Sequence, residues 1–180
     1  TLFVNSYQKD IAIYPTYRLV ETEKPLKIEQ IIDKISPYFN IKIKTYDGFS
    51  IDQFLVDRKN NQIKSFLIYM GNGLTLEADY KNNLLKNDLW QDLDVNILHN
   101  VLLDQGLGKS MVKNIDFTHS WQHLKSELDK GKYNMGILLN APSVSEVETL
   151  SRQGYLMPQK STYFYPKPCT GLVMYKLDSY

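Results

Sequence analysis

The sequence predicts an α+β fold: a mixed β-sheet with β-hairpins and packed α-helices in largely alternating order. Three observations predict it. Segments of alternating apolar and polar residues, such as Ile41-Lys42-Ile43-Lys44, are interleaved with segments of helical spacing, such as Ile28, Ile31, Ile32 and Ile35. Gly71-Asn72-Gly73 separates two strand-like runs and marks a hairpin, which argues against a purely parallel sheet. Met135-Gly136-Ile137-Leu138-Leu139 is a nearly continuous apolar run of strand length, the pattern of a strand covered on both faces. With 180 residues, 43% hydrophobic and 23% charged, residues 1–180 read as a single globular domain with one core.

Taken in order, Phe3-Val4 and Ile11-Ala12-Ile13-Tyr14 are strand-like around a turn at Gln8-Lys9-Asp10, and Pro15 stops the ladder. Thr16, Tyr17 and Arg18 follow just past that end, where binding groups are often placed. Pro25 to Tyr38 reads as an amphipathic helix, Ile41 to Thr45 as a half-buried strand, and Asp47-Gly48 as a turn. Ser50 is placed to cap a short helix through Arg58. The hairpin pairs Ser65–Tyr69 with Leu74–Ala78. Tyr80 to Asp92 is a polar surface connection, and Asp94 to Gln105 a helix with His99 beside its apolar face.

Gly106-Leu107-Gly108-Lys109-Ser110 is not a phosphate-binding P-loop. That motif needs glycine at position 103, where Leu103 stands, and it opens a helix, whereas this segment ends one. Val112 to Phe117 is a strand, and Thr118 or Ser120 caps a helix to about Lys130. His119 and His123 have the i, i+4 spacing of zinc ligands, but no third ligand accompanies them, and no metal is expected. Tyr133 to Asn140 is the central strand, and Ser143 caps the helix Val144 to Gln153 with Glu146 in the capping-box position. Leu172 to Leu177 closes the chain as a strand.

The stretch with the most chemistry is Met157-Pro-Gln-Lys-Ser-Thr-Tyr-Phe-Tyr-Pro-Lys167. Pro158, Pro166 and Pro168 stiffen it into an extended ribbon. Lys160, Ser161, Thr162 and Lys167 then present cations and hydroxyls, the groups that bind phosphate or carboxylate. Tyr163 and Tyr165 would shape the pocket. Arg18 offers a planar fork for the same anion. The alternative is structural: solvated lysines, aromatics packed on the core, and Arg18 paired with Glu21 or Glu23.

This ribbon resembles the C-terminal signature of a bacterial and archaeal family, domain of unknown function 1015. Tyr14-Pro15-Thr16-Tyr17-Arg18-Leu19-Val20 resembles the family's Leu-Pro-Thr-His-Arg-Leu stretch, with tyrosine at 17 in place of histidine. Leu93-Asp94-Val95 with Leu98-His99 resembles its Leu-Asp-Val and Leu-His helix, which raises His99 and Thr16 as further site candidates. The resemblance implies that the chain is the C-terminal part of a protein about twice as long. The N-terminal part would be similar to ParB-like and sulfiredoxin-like domains, and would be the chain's partner. It also implies phosphoryl transfer, with a nucleotide and magnesium as cofactors of the full-length protein and serine or a relative as acceptor.

Two functions follow as expectations. One is an enzyme of small phosphorylated or carboxylated metabolites, holding its anion through Arg18, Lys160, Ser161, Thr162 and Lys167. The other is a non-catalytic binding or dimerisation domain that docks through the Tyr-Phe-Tyr ribbon. A net charge of +1 gives no electrostatic reason to expect nucleic acid or a membrane surface. The single cysteine, Cys169, excludes an internal disulfide and fits the cytoplasm.

Overall fold

The computed structural model describes residues 11–81, 89–167 and 171. The strand expected at Phe3-Val4, most of the polar connection, Cys169 and the strand expected at Leu172–Leu177 lie outside the described residues.

Two sheets form. Strands β1 (Ala12–Tyr14) and β8 (Tyr163–Tyr165) pair with each other. The larger sheet has six strands in the order β3-β5-β4-β7-β2-β6. These are β2 (Tyr17–Thr22), β3 (Phe39–Lys44), β4 (Ser65–Tyr69), β5 (Thr75–Tyr80), β6 (Val112–Thr118) and β7 (Met135–Leu138). Every ladder is antiparallel. The apolar run at 135–138 does sit inside the sheet, between β4 and β2, with all four residues buried.

Helices cover both faces. Helix α4 (Trp121–Asp129) lies on the face carrying Leu19, Gly136 and Tyr69, with Trp121 edge-on to Tyr69 at 4.9 Å. Helix α2 (Gly48–Asn60) shares that face, since the Trp121 indole approaches Gly48. The opposite face carries Arg18, Val20, Ile137 and Ile68. It is covered by α1 (Ile28–Ile35) and by the helix beginning at Asp94. Helix α5 (Val144–Arg152) follows β7 with the expected capping box between Ser143 and Glu146.

Three elements differ from the sequence reading. Helix α1 begins after Lys27, leaving Pro25 in the preceding loop. Helix α2 is capped by Asp47, whose side chain accepts from the Ser50 N–H at 2.8 Å, so Ser50 is inside the helix. The helix after Asp94 is α-helical only over Asp94–Asn96 (α3) and continues as a π-helix over Ile97–Gly108. Its wider turn places buried residues at 97, 98, 101–103, 106 and 107, a spread that α-periodicity does not produce. Gly106 is where α1 meets it: a Cβ there would stand 3.0 Å from Ile35 Cγ2.

The tightest approach is at Gly136, where an added Cβ would lie 2.4 Å from Leu124 Cδ2 and 2.9 Å from Leu128 Cδ1. Both leucines are buried, so neither has room to retreat. Gly136→Ala should therefore lower unfolding stability by about 1–3 kcal/mol, read as a lower urea midpoint at unchanged slope. An unchanged midpoint would show that α4 is not seated on β7 as described.

Candidate functional site

The start of β2 places Thr16 and Arg18 at one end of the large sheet. Arg18 stands in an interior strand, bonded to β6 on one side and β7 on the other. Its guanidinium points into the face covered by the π-helix and is 1% exposed. Nη1 donates to the Thr16 carbonyl, while Nε and Nη2 are buried with no hydrogen-bond partner among the described residues. The alternative pairing with Glu21 or Glu23 is not made: Glu21 pairs with Lys113 at 2.5 Å, and no carboxylate of the described residues lies within ion-pair distance of Arg18. The guanidinium carbon also lies 5.3 Å from the centre of the Phe117 ring. Burial lowers the Arg18 pKa to about 10.

His99, in the first turn of the π-helix, faces the same region. Its Nε2 is buried and has no partner among the described residues. Burial, and then the neighbouring Arg18 charge, hold the imidazole below its ordinary pKa. Two nitrogen-rich side chains thus lie within electrostatic reach of each other, with three buried nitrogens that have no hydrogen-bond partner among the described residues. Such groups are costly to leave unbonded, and an anion's oxygens would satisfy the two guanidinium nitrogens.

The ribbon reaches this end through the small sheet. Register pairs Tyr14 with Tyr163 and Ala12 with Tyr165, so β8 lies beside the segment that leads into Thr16. The Tyr163 ring packs on His119 at 3.8 Å, and the Lys167 ammonium sits 4.4 Å from the Tyr163 ring centre. His119 closes the chain of contacts. Its Nδ1 is 3.2 Å from the Pro15 carbonyl oxygen and 3.5 Å from Thr16 Oγ1. A carbonyl only accepts, so Nδ1 carries the proton.

Thr16, Arg18, Tyr163 and Lys167 are therefore linked in space through His119. Tyr165 stacks obliquely on Tyr14, 5.5 Å away, and its ring is turned out to solvent. Ser161 is buried, and its hydroxyl donates to the Pro158 carbonyl at 2.5 Å, closing a turn. Lys160 is exposed at the tip of that turn with φ +58°, and Thr162 is half-buried beside it. No contact joins Lys160, Ser161 or Thr162 to Arg18. Tyr17, which stands where the resemblance has histidine, points to the other face of the sheet. There burial and the Asp52 carboxylate raise its pKa to about 12.

His119 was the residue that sequence reasoning missed as a partner of this site. Its position just past a strand end is visible in the sequence, but its neighbour Pro15 is 104 residues away. His123 is exposed on α4, and among the described residues no group of three His, Cys, Asp or Glu side chains could hold a metal ion.

Comparison with known proteins adds the family. Residues 1–96, more than half of the chain, match the family described as "Protein of unknown function (DUF1015)". The chain belongs to this family. The matched stretch contains the Tyr14–Val20 and Leu93–Val95 motifs and ends before the ribbon. No curated protein matches. Among solved structures, a conserved hypothetical protein from Pyrococcus furiosus is similar, with 14% identity and a TM-score of 0.52, over 91% of this chain and 60% of that one. A mutant free serine kinase in complex with AMP gives 13% identity and a TM-score of 0.52, over 91% and 57%. The ADP complex gives 14% and 0.52, over 91% and 58%. At such identities the likeness shows the fold alone, and this chain spans only 57–60% of those three chains. No helix among the described residues is long and apolar enough to cross a membrane.

The depressed pKa of His99 has a consequence for stability. Between its folded value and the ordinary value of 6.5, the unfolded state binds more protons than the folded state, so stability falls as pH falls through that window. Wild type should lose more stability between pH 7 and pH 5 than His99→Gln, in paired urea titrations. Equal losses would place His99 outside the buried, Arg18-facing position.

Proposed function

We propose that this chain carries the anion site of a small-molecule phosphotransferase, with Arg18 as the principal ligand of a phosphate group. The observation that carries the reading is the buried, uncompensated guanidinium. Burying a charge costs several kcal/mol even after relaxation, and an apolar side chain of similar volume is often the more stable occupant. A protein that keeps Arg18 there, with two nitrogens unbonded, gains in function what it loses in stability.

In this reading Arg18 and His99 hold phosphate oxygens from below. Thr16 and His119 line the entrance, and Lys167 on the Tyr163 ring adds positive charge at its rim. Lys160 and Thr162, on the neighbouring turn, draw the anion in, and Ser161 holds the shape of that turn. The acceptor is a serine-like hydroxyl compound or a phosphorylated metabolite, and the donor a nucleotide with magnesium. The shared fold with a free serine kinase that binds AMP and ADP supports this direction. The remaining groups of the reaction belong to the full-length protein.

Thermal or urea stability with and without ligand tests the site. Arg18→Met should be neutral or more stable than wild type by up to about 4 kcal/mol, offset by roughly 1 kcal/mol for the donor lost to the Thr16 carbonyl. Inorganic phosphate, AMP, ADP, ATP and phosphoserine are the probes. One that binds should stabilise wild type by about 2.7 kcal/mol at a hundredfold excess over its Kd, and Arg18→Met hardly at all. A strongly destabilised variant that still responds to ligand would make Arg18 a structural residue and sink the reading.

A second reading rests on the ribbon's outer surface. Tyr14 and Tyr165, 46% and 51% exposed, share one face of the small sheet, an arrangement suited to docking a partner or a second copy. Light scattering across a concentration series should then show association that Tyr165→Glu abolishes. A monomer at all concentrations, in both proteins, removes the dimer version.

A further inference from the structure

A cavity of about 410 Å³ between the end of α2 and the starts of α3 and α5 is lined by Lys59, Lys64, Asp92, Asp94 and Glu146. Those charges largely answer one another. Lys64 pairs with Asp94 at 3.1 Å and with Asp92 at 3.7 Å, and Glu146 accepts from the Ser143 N–H at 2.7 Å. Arg18 has no such answer among the described residues, yet its guanidinium is closed to solvent. A phosphate group can reach Nε and Nη2 only if a neighbour moves.

The direct neighbours of Arg18 on its face of the sheet are known from the register. Thr16 and Val20 lie two positions away along the chain, where strand alternation returns to the same face. Ile137 on β7 and Phe117 on β6 stand directly opposite. Thr16, Val20 and Ile137 are buried, whereas Phe117 is 37% exposed. Strand β6 ends the sheet order, so no described strand borders Phe117 on its outer side. With its ring centre 5.3 Å from the guanidinium carbon, the same side chain touches both the cation and the solvent. His99, on the π-helix that covers this face, is the other candidate cover. It is half-buried, but its Nε2 is turned into the protein. Phe117 already has a third of its surface in water and room to rotate further.

We propose that Phe117 is the gate of the Arg18 site: its ring covers the guanidinium until an anion arrives, and swings off the sheet edge to admit a phosphate group. The proposal rests on the phosphate reading of Arg18 and adds the control of access to it. Opening exchanges one partner of the cation for another. The ring attracts the guanidinium through its quadrupole alone. A phosphate brings full negative charge and accepts forked hydrogen bonds from the nitrogens, which the ring cannot do. That difference in affinity is what moves the ring, since a ligand shifts an equilibrium only by its preference for one state. The apolar ring loses cover when it swings out, so the closed state prevails without an anion. The opening lies beside His119, two positions further along β6, and Thr16, whose Oγ1 is 3.5 Å from His119 Nδ1.

Arginine labelling with phenylglyoxal, read residue by residue by peptide mass spectrometry, tests the gate without calling on phosphate. The arginines of the chain are Arg18, Arg58 and Arg152, and Arg152, exposed on α5, is the reference. A ring that is open less than about a tenth of the time slows labelling by roughly tenfold or more. Wild type should therefore label Arg18 at least about tenfold more slowly than Arg152. Phe117→Ala should remove most of that difference and leave Arg152 unchanged. Ile115→Ala, on the same strand and face but opposite Val20, controls for loosening of the sheet edge. His99→Ala controls for the other cover. The proposal is overturned if wild-type Arg18 labels as fast as Arg152, or if Phe117→Ala does not speed it. It is equally overturned if Ile115→Ala or His99→Ala speeds Arg18 as much as Phe117→Ala does. Inorganic phosphate reports separately on the underlying reading, because it should slow Arg18 labelling in Phe117→Ala. Equal rates with and without phosphate would remove the phosphate ligand and leave Phe117 as the cover of Arg18.

Discussion

Strand β7 is four residues long, and the placement of the Arg18 site and of the charged cavity depends on it. It is hydrogen-bonded to β4 on one side and β2 on the other, and so joins the β3-β5-β4 meander to the β2-β6 pair. Because both ladders are antiparallel with a set register, the beginnings of β2 and β4 and the end of β7 fall at the same end of the sheet. Binding groups carried at those termini are neighbours by construction. The register is held by burial on both faces, since a one-residue slip would turn Ile137 towards α4 and Gly136 away from it.

Glycine at 136 is part of the same constraint. With no Cβ, β7 lets α4 settle onto the sheet through Leu124 and Leu128. That contact seats Trp121 against Tyr69 and Gly48. It also sets the loop before α4, where Ser120 caps the helix and His119 meets Pro15, Thr16 and Tyr163. Close packing at the centre of the sheet and the geometry at its edge are thus one chain of contacts.

The energetics of the two differ in kind. At Arg18 a full charge is buried against an aromatic ring and a backbone carbonyl with no counter-charge among the described residues, so desolvation is left largely uncompensated. In the cavity between α3 and α5, charges are numerous and mostly paired, and what remains is an imbalance of one. The first arrangement suits an anion, whereas in the second most charges are already answered by one another.

Much of the fold was legible in the residues alone. The glycine-asparagine-glycine hairpin, the apolar run of β7 and the Ser143–Glu146 capping box are local patterns, and their physics acts over a few residues. The candidate residues Thr16, Arg18, Tyr163 and Lys167 could be named from their chemistry for the same reason. Which of them meet could not. Arg18's burial is set by β6, β7 and the π-helix, and His119 joins the site through residues about a hundred positions away in sequence. Tyr17 was left on the opposite face by the alternation of the strand. The hydroxyl of Ser161 was drawn into its own turn by a carbonyl three residues back. The cavity around Asp94 had no signature at all, because its five charged residues come from three separate stretches of chain. Sequence determined which groups were present and the local elements that carry them. Only tertiary pairing, in which strand register and burial act between distant segments, decided which charges were neutralised and which were left for a ligand.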